Sequence, residues 1–216
     1  MPKVHEKFPN LIEIIHPIIQ YKLTLLRDVN TGRKLFKELT EELAHLLGYE
    51  ATCDLQLSIK EITTPLETFK APFLKEKEFV ITPILRAGIG MVEGLIKLLP
   101  MASVGHIGFY RDETTFEPKS YYFKLPPNCE KARFFICDPM LATGGTAIAA
   151  IDKLKKRGIK KIVFICLVAA PEGVQKMLDA HPDVKIYAAK LDRELDKMCY
   201  ILPGLGDAGD RLWAVR

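Results

Sequence analysis

The sequence predicts an α/β fold in which a mainly parallel sheet is covered by helices on both faces. Short runs rich in Val, Ile and Phe recur at 79–85, 103–110, 133–137, 161–169 and 184–188, and segments with helical apolar spacing separate them. Most of these runs are apolar throughout rather than alternating, as expected of strands buried on both faces. Two of them end in turns that contain glycine, at the strand ends where ligands bind in such sheets.

Taken in order, the first third reads as helical. Leu23, Leu26 and Val29 share a spacing of three, and Thr31 is placed to cap a helix running to Leu47. Leu35, Leu39, Leu43, Leu46 and Leu47 fall on one face of that helix, and Gly48 closes it. Residues 49–78 are mixed, with loops expected at Thr63-Thr64-Pro65 and at Ala71-Pro72. Phe79 to Leu85 then reads as a strand, followed by Arg86-Ala87-Gly88 and a helix carrying Met91, Leu95, Leu98 and Leu99 to Pro100. A strand from Ser103 to Tyr110 leads into the polar stretch Arg111 to Lys119, expected to be a mobile loop before Tyr121-Tyr122-Phe123. Arg133 to Cys137 is the third strand and ends at Asp138. A helix beginning near Ala147 carries Ile148, Ile151 and Leu154 and stops at Gly158. A strand over Lys161–Ala169, a short helix over Glu172–Leu178 and a strand over Val184–Ala188 complete the pattern. There is no internal repeat and no low-complexity segment.

Composition narrows the class. The chain has 216 residues, 48% hydrophobic and 27% charged, with a net charge of +4, the balance of one sizeable globular domain. The densest basic run, Lys153 to Arg157, falls at an expected helix end, where the helix dipole favours it; a nucleic-acid face is not indicated. Five cysteines, an odd number with no C-x-x-C pair, read as reduced and mostly buried thiols. The stretch MPKVHEKFPN has no apolar core of a signal peptide, and no apolar run approaches the ~20 residues needed to span a bilayer. The expectation is a cytoplasmic protein that binds neither membrane nor nucleic acid. His5, His16, His45, His106 and His181 are scattered without metal-ligand spacing, His16 reads as a loop residue, and Trp213 reads as a packing residue.

The chemistry is concentrated in Asp138-Pro139-Met140-Leu141-Ala142-Thr143-Gly144-Gly145-Thr146. An apolar strand delivers Asp138 to the rim of the sheet, and the glycines let backbone N–H groups approach an anion at a helix N-terminus. Thr143 and Thr146 add hydroxyl donors. The segment is neither a P-loop nor a dinucleotide-binding G-x-G-x-x-G. An acid beside a phosphate cradle repels phosphate unless it accepts from hydroxyls, and a ribose 5-phosphate satisfies both demands. Arg86, just beyond a strand, can fork onto phosphate oxygens. The Tyr200–Asp210 stretch packs three glycines and a proline into a segment with exposed backbone, which is either a surface loop or a hydrogen-bonding edge.

DPMLATGGT, with PILRAG before it and YILPGLGDAGD after it, resembles the uracil phosphoribosyltransferases of the type I phosphoribosyltransferase family; YEAT, FYRDE and LVAAPEG extend the similarity over about three quarters of the chain. The wider superfamily often carries two adjacent acids where this chain has Asp138 and Pro139, and the uracil enzymes share the proline. The resemblance implies a type I phosphoribosyltransferase fold over 1–216, with a C-terminal hood around 192–210. It implies transfer of the phosphoribosyl group of phosphoribosyl pyrophosphate to uracil, giving UMP and pyrophosphate through an oxocarbenium-like transition state. Arg86 and Arg111 would meet the pyrophosphate end, Asp138 to Thr146 the ribose 5-phosphate, and Tyr200, Ile201, Gly206, Asp207 and Ala208 the uracil. Asp207 would also face phosphoribosyl pyrophosphate and its Mg²⁺, which is held mainly by substrate oxygens and water. The resemblance further implies dimers or tetramers, and activation by GTP in some relatives, although no segment identifies a GTP site. Two other readings are a sister enzyme using a different base, which GLGDAGD argues against, and an RNA-binding regulator on the same fold, which would need a concentrated basic face.

Overall fold

The computed structural model describes residues 2–111 and 118–214, with the side chains of 4–110 and 119–214. The chain opens with β1 (Pro2–Val4), β2 (Leu11–Ile14), α1 (Pro17–Arg27) and α2 (Arg33–Ala51). A separate ribbon of β3 (Leu57–Thr63) and β4 (Thr68–Leu74) precedes β5 (Phe79–Leu85), α3 (Ile89–Leu98), β6 (Ser103–Val104), β7 (His106–Arg111) and β8 (Pro118–Lys124). Then follow β9 (Arg133–Cys137), β10 (Met140–Leu141), α4 (Gly145–Lys156), β11 (Lys161–Ala169), α5 (Pro171–Ala180) and β12 (Lys185–Leu191). The C-terminal part holds β13 (Glu194–Leu195), β14 (Ile201–Leu202) and α6 (Ala208–Trp213).

The main sheet runs in the order β1-β2-β12-β11-β9-β5-β7-β8. Every neighbouring pair from β2 to β7 is parallel, and β1 and β8 add antiparallel edges. The chain lays down β5, moves outward to β7, and returns to place β9 on the other side of β5. The strand order therefore reverses between β5 and β9, and a crevice opens at their carboxyl ends. That reversal puts the turn after Leu85 beside the turn after Cys137.

Two apolar layers sandwich the sheet. One packs α1, α2, α3 and α6 against it through Leu23, Phe36, Leu43, Met91 and Leu212. The other packs α4 and α5 through Ile151, Leu154, Val174 and Met177. Phe134, Phe135 and Phe164 are fully buried in the strands between, each contributing about 1.5–3 kcal/mol by leaving water.

Several local expectations are corrected. Gly32, not Thr31, caps α2, and the Thr31 hydroxyl instead donates to the Leu25 carbonyl at 2.5 Å. Gly48 does not end the helix; it is buried inside it, where a Cβ would come within 2.6 Å of Leu95. Tertiary packing overrides its stop signal, and the matching Gly94 of α3 would put a Cβ at 2.0 Å from the Glu41 carbonyl oxygen. Leu35 is exposed, so the buried face of α2 is narrower than its leucine spacing suggests, and Val29 lies beyond α1 in solvent. Ala71-Pro72 is not a loop but lies within β4, because a two-stranded ribbon leaves alternate backbone N–H groups without a strand partner. His16 caps α1 by accepting from the Ile18 N–H at 3.2 Å. Cys129, Cys137 and Cys166 are buried, whereas Cys53 and Cys199 are exposed. No helix among the described residues is long and apolar enough to cross a membrane.

Candidate active site

The crevice between β5 and β9 is walled by two turns packed tightly together. Gly88 lies where a Cβ would sit 2.4 Å from the Cys137 carbonyl oxygen, so only a glycine lets the turn after β5 press against the end of β9. Arg86 stands on that turn, exposed, and pairs with no acid among the described residues. The Leu85–Arg86 peptide is cis.

Asp138 leaves the end of β9 at the floor of the crevice. The Met140 amide donates to its carboxyl group, and its own N–H donates to the Ile165 carbonyl at 3.2 Å. Burial, reinforced by the nearby charge of Asp207, pushes the carboxyl up to about 7, against the opposing pull of the Met140 amide. Pro139 and the short β10 bind this segment to β11: the Pro139 carbonyl accepts from Leu167 and Val168 at 3.0 and 3.1 Å. Leu141 turns its side chain into the core and its carbonyl toward the Ala170 N–H at 2.9 Å. It can serve the site only through its backbone.

Gly144 holds φ at +79° as the cap of α4, which begins at Gly145, two residues earlier than the sequence suggests. The first N–H groups of α4 have no partners inside the helix and face outward with the positive end of its dipole. Ala142, Thr143, Gly145 and Thr146 are partly exposed around that end. Behind them, Gly173 of α5 approaches so closely that a Cβ would meet the Ala142 carbonyl oxygen at 2.2 Å. The arrangement gathers backbone amides and the Thr143 and Thr146 hydroxyls at a helix N-terminus beside the Asp138 carboxyl, a set of donors that suits an anion.

The C-terminal segment is a paired ribbon leading into a short helix rather than a plain surface loop. β13 and β14 pair antiparallel, and Asp196 closes their turn by accepting from the Met198 and Tyr200 amides, each at 2.8 Å. Ile201 and Ala208 are buried, so they too offer only backbone, whereas Tyr200, Gly206 and Asp207 are exposed. Asp207 caps α6, accepting from the Asp210 N–H at 2.9 Å. A cleft of about 490 Å³ runs along Tyr200, Gly204, Gly206 and Asp207 to Arg27 at the end of α1.

The fold thus gathers the Arg86 turn, the Asp138–Thr146 segment and Asp207, with Asp138 and Asp207 in electrostatic reach of each other. The side chain of Arg111 and the loop 112–117 lie outside the described residues. Sequence reasoning missed Arg27, Asp192 and Arg211, which bond the backbone at Gly204 and Leu205; a side chain whose partners lie far away in the chain leaves no local pattern.

A family model for uracil phosphoribosyltransferase matches residues 13–214. The chain belongs to the uracil phosphoribosyltransferase family. The uracil phosphoribosyltransferase of Listeria welshimeri is 56% identical over 207 residues, covering 96% of this chain and 99% of the relative. The structure of the AQ2163 protein from Aquifex aeolicus superposes with a TM-score of 0.90 at 38% identity, covering 95% of this chain and 98% of the other. Adenine phosphoribosyl transferase from Trypanosoma brucei, at 11% identity and a TM-score of 0.59, covers 95% of this chain and 91% of its own and shares the fold. This uracil phosphoribosyltransferase family member is therefore an enzyme with the type I phosphoribosyltransferase fold predicted from its strand and motif pattern.

Proposed function

We propose that the chain joins uracil to the ribose of phosphoribosyl pyrophosphate, with the roles of its residues divided along the crevice. A ring nitrogen of uracil forms the new bond to C1 of the ribose, gives up its proton, and pyrophosphate leaves. The observation that carries this reading is the nearness of Asp207 to Asp138, at the strand end where the strand order reverses, close enough for one charge to act on the other. It supports a base-facing segment beside a sugar-phosphate cradle.

In this reading the α4 N-terminus, with Thr143, Gly144, Gly145 and Thr146, holds the 5-phosphate. Pro139, Met140, Leu141 and Ala142 shape that cradle, and the Asp138 carboxylate accepts from the ribose hydroxyls. Arg86 and Arg111 offset charge growing on the leaving pyrophosphate. Backbone groups of Ile201, Gly206 and Ala208 face the uracil edge beside Tyr200. The exposed Asp207 carboxylate is the side chain that suits a Mg²⁺ taking most of its ligands from the substrate and water. Such an ion supplies charge neutralisation on the pyrophosphate oxygens.

Assembly into dimers or tetramers is part of the proposal. It is supported by Leu57, Ile59 and Phe69, apolar side chains exposed on the β3–β4 ribbon. A sedimentation mass equal to one chain would remove it.

The deciding experiment supplies phosphoribosyl pyrophosphate, Mg²⁺ and each common base in turn, with and without GTP, and follows pyrophosphate release and nucleotide formation. UMP from uracil alone is expected. Turnover of another base would retain the cradle and overturn the hood assignment, and no turnover with any base would overturn the enzymatic reading.

A further inference from the structure

A buried ion pair anchors the hood, outside the residues assigned to substrate. We propose that Arg27 and Asp192 are positioning residues that set the hood against the base, an inference that rests on the reading of Tyr200–Ala208 as the uracil edge.

Arg27 ends α1, and Asp192 is the residue immediately after β12. Nη1 and Nη2 of Arg27 donate to Oδ2 and Oδ1 of Asp192 at 2.8 and 2.6 Å, a two-point pairing that fixes the relative orientation of the groups. The Asp192 side chain is only 2% exposed. The pair makes two further hydrogen bonds, both to one residue of the hood. Arg27 Nη1 donates to the Gly204 carbonyl at 2.6 Å, and the Gly204 N–H donates to Asp192 Oδ2 at 3.0 Å. Both backbone groups of Gly204 are therefore captured by the two side chains.

Gly204 has little freedom to answer in another way. Its φ is +60°, and a Cβ there would meet the Ile201 carbonyl oxygen at 2.1 Å. The Asp192 N–H donates to the Ala169 carbonyl at 2.8 Å, which ties the pair to the end of β11. Just beyond, Arg211 donates to the Leu205 and Asp28 carbonyls at 2.9 and 2.7 Å, with its guanidinium 4.2 Å from the Phe36 ring centre. The backbone from Gly204 to Asp207 is thus pinned at its start and braced behind. The wall of the hood cleft includes Arg27 itself, so a shift in the pair moves the cleft directly.

The test compares Arg27→Lys and the double variant Arg27→Gln/Asp192→Asn with the wild type. Lysine keeps a charge but loses the two-point geometry. The double variant leaves no stranded buried charge, so its melting temperature should stay close to that of the wild type. The KM for uracil should rise about tenfold or more in both, while the KM for phosphoribosyl pyrophosphate stays within about twofold. An unchanged KM for uracil in a folded variant, or equal rises for both substrates, would overturn the proposal.

Amide hydrogen exchange reads the same role without turnover. Residues 204–208 should exchange faster in both variants while β9 and β11 keep their protection. If the wild type turned over no uracil, faster exchange confined to 204–208 would still support positioning of the hood, and only the base assignment would fall. Unchanged exchange there would overturn the inference on its own.

Discussion

The charge on Asp207, the cap of α6, reaches Asp138 at the end of β9 and disfavours its ionisation. Burial supplies the larger share of that effect. The two acids therefore differ in kind: one keeps its proton to near neutral pH, and the other sits in solvent as a helix cap.

The first prediction concerns pH. A carboxyl at about 7 in the folded state, against 3.8 unfolded, makes the native protein hold a proton that the unfolded chain has lost. The contribution of Asp138 to stability is therefore complete below about pH 4 and is lost as pH rises to 7, a change on the order of 4 kcal/mol. Asp138→Asn cannot ionise. Its stability relative to the wild type should improve by an amount of that order between pH 4 and pH 8, measured by urea unfolding. A difference independent of pH would contradict the assignment. In the wild type, kcat/KM should rise through the same interval if the ionised form accepts from the ribose hydroxyls.

Asp207 can be separated into its two roles. Asparagine still caps a helix, so Asp207→Asn should keep stability within about 0.5 kcal/mol, whereas Asp207→Ala should lose about 1 kcal/mol through the missing bond to the Asp210 N–H. Both should lower kcat/KM for transfer by about 100-fold or more, because the charge facing phosphoribosyl pyrophosphate is gone. Removing that charge should also lower the pKa of Asp138, readable by carboxyl NMR titration.

Gly173→Ala tests the support behind the cradle. The added carbon would meet the Ala142 carbonyl oxygen at 2.2 Å and must push the cradle or α5 aside. A loss of about 1–3 kcal/mol is expected, together with a raised KM for phosphoribosyl pyrophosphate. An unmoved KM would show that the cradle tolerates the shift.

Gly94→Ala is its control. The clash at 2.0 Å with the Glu41 carbonyl oxygen forces α2 and α3 apart, away from the cradle. Thermal unfolding should show a loss of similar size, about 1–3 kcal/mol, with the ratio of the two KM values preserved.

Arg86→Ala completes the set. Arg86 is exposed and pairs with no acid among the described residues, so its loss should leave the melting temperature unchanged while lowering turnover strongly. A folded variant with normal kinetics would remove Arg86 from the site.

The legible parts of this fold were those with a local cause. Strands buried on both faces must be apolar along their whole length, which is why β5, β9, β11 and β12 stand out in the sequence. The turn after β9 was legible because its tight entry into α4 needs a glycine at positive φ, Gly144, and because Asp138 sits where a strand must end. What escaped was decided at long range. Gly48 carries the usual signal for a helix end and is buried in α2 because Leu95 of α3 leaves it no room for a side chain. The β3–β4 ribbon was hidden by Pro72, whose effect depends on which neighbour a strand has. Arg27 and Asp192 lie 165 residues apart, and nothing near either one in the chain announces the other.

The sandwich has a consequence for how this enzyme can change. The cradle hangs on α4, whose apolar residues Ala147, Ile151 and Leu154 belong to one layer. The hood is rooted through Ile201, Leu205, Ala208 and Leu212 in the opposite layer, with α1 and α2. In the proposed assignment, the base and sugar-phosphate readers meet at one crevice but are anchored mainly in different layers. Mutations in the layer that roots the C-terminal segment can then repack and alter which base is accepted while α4, packed on the other face of the sheet, keeps its apolar contacts. A lineage can exchange its nucleobase without having to reinvent its handle on the sugar.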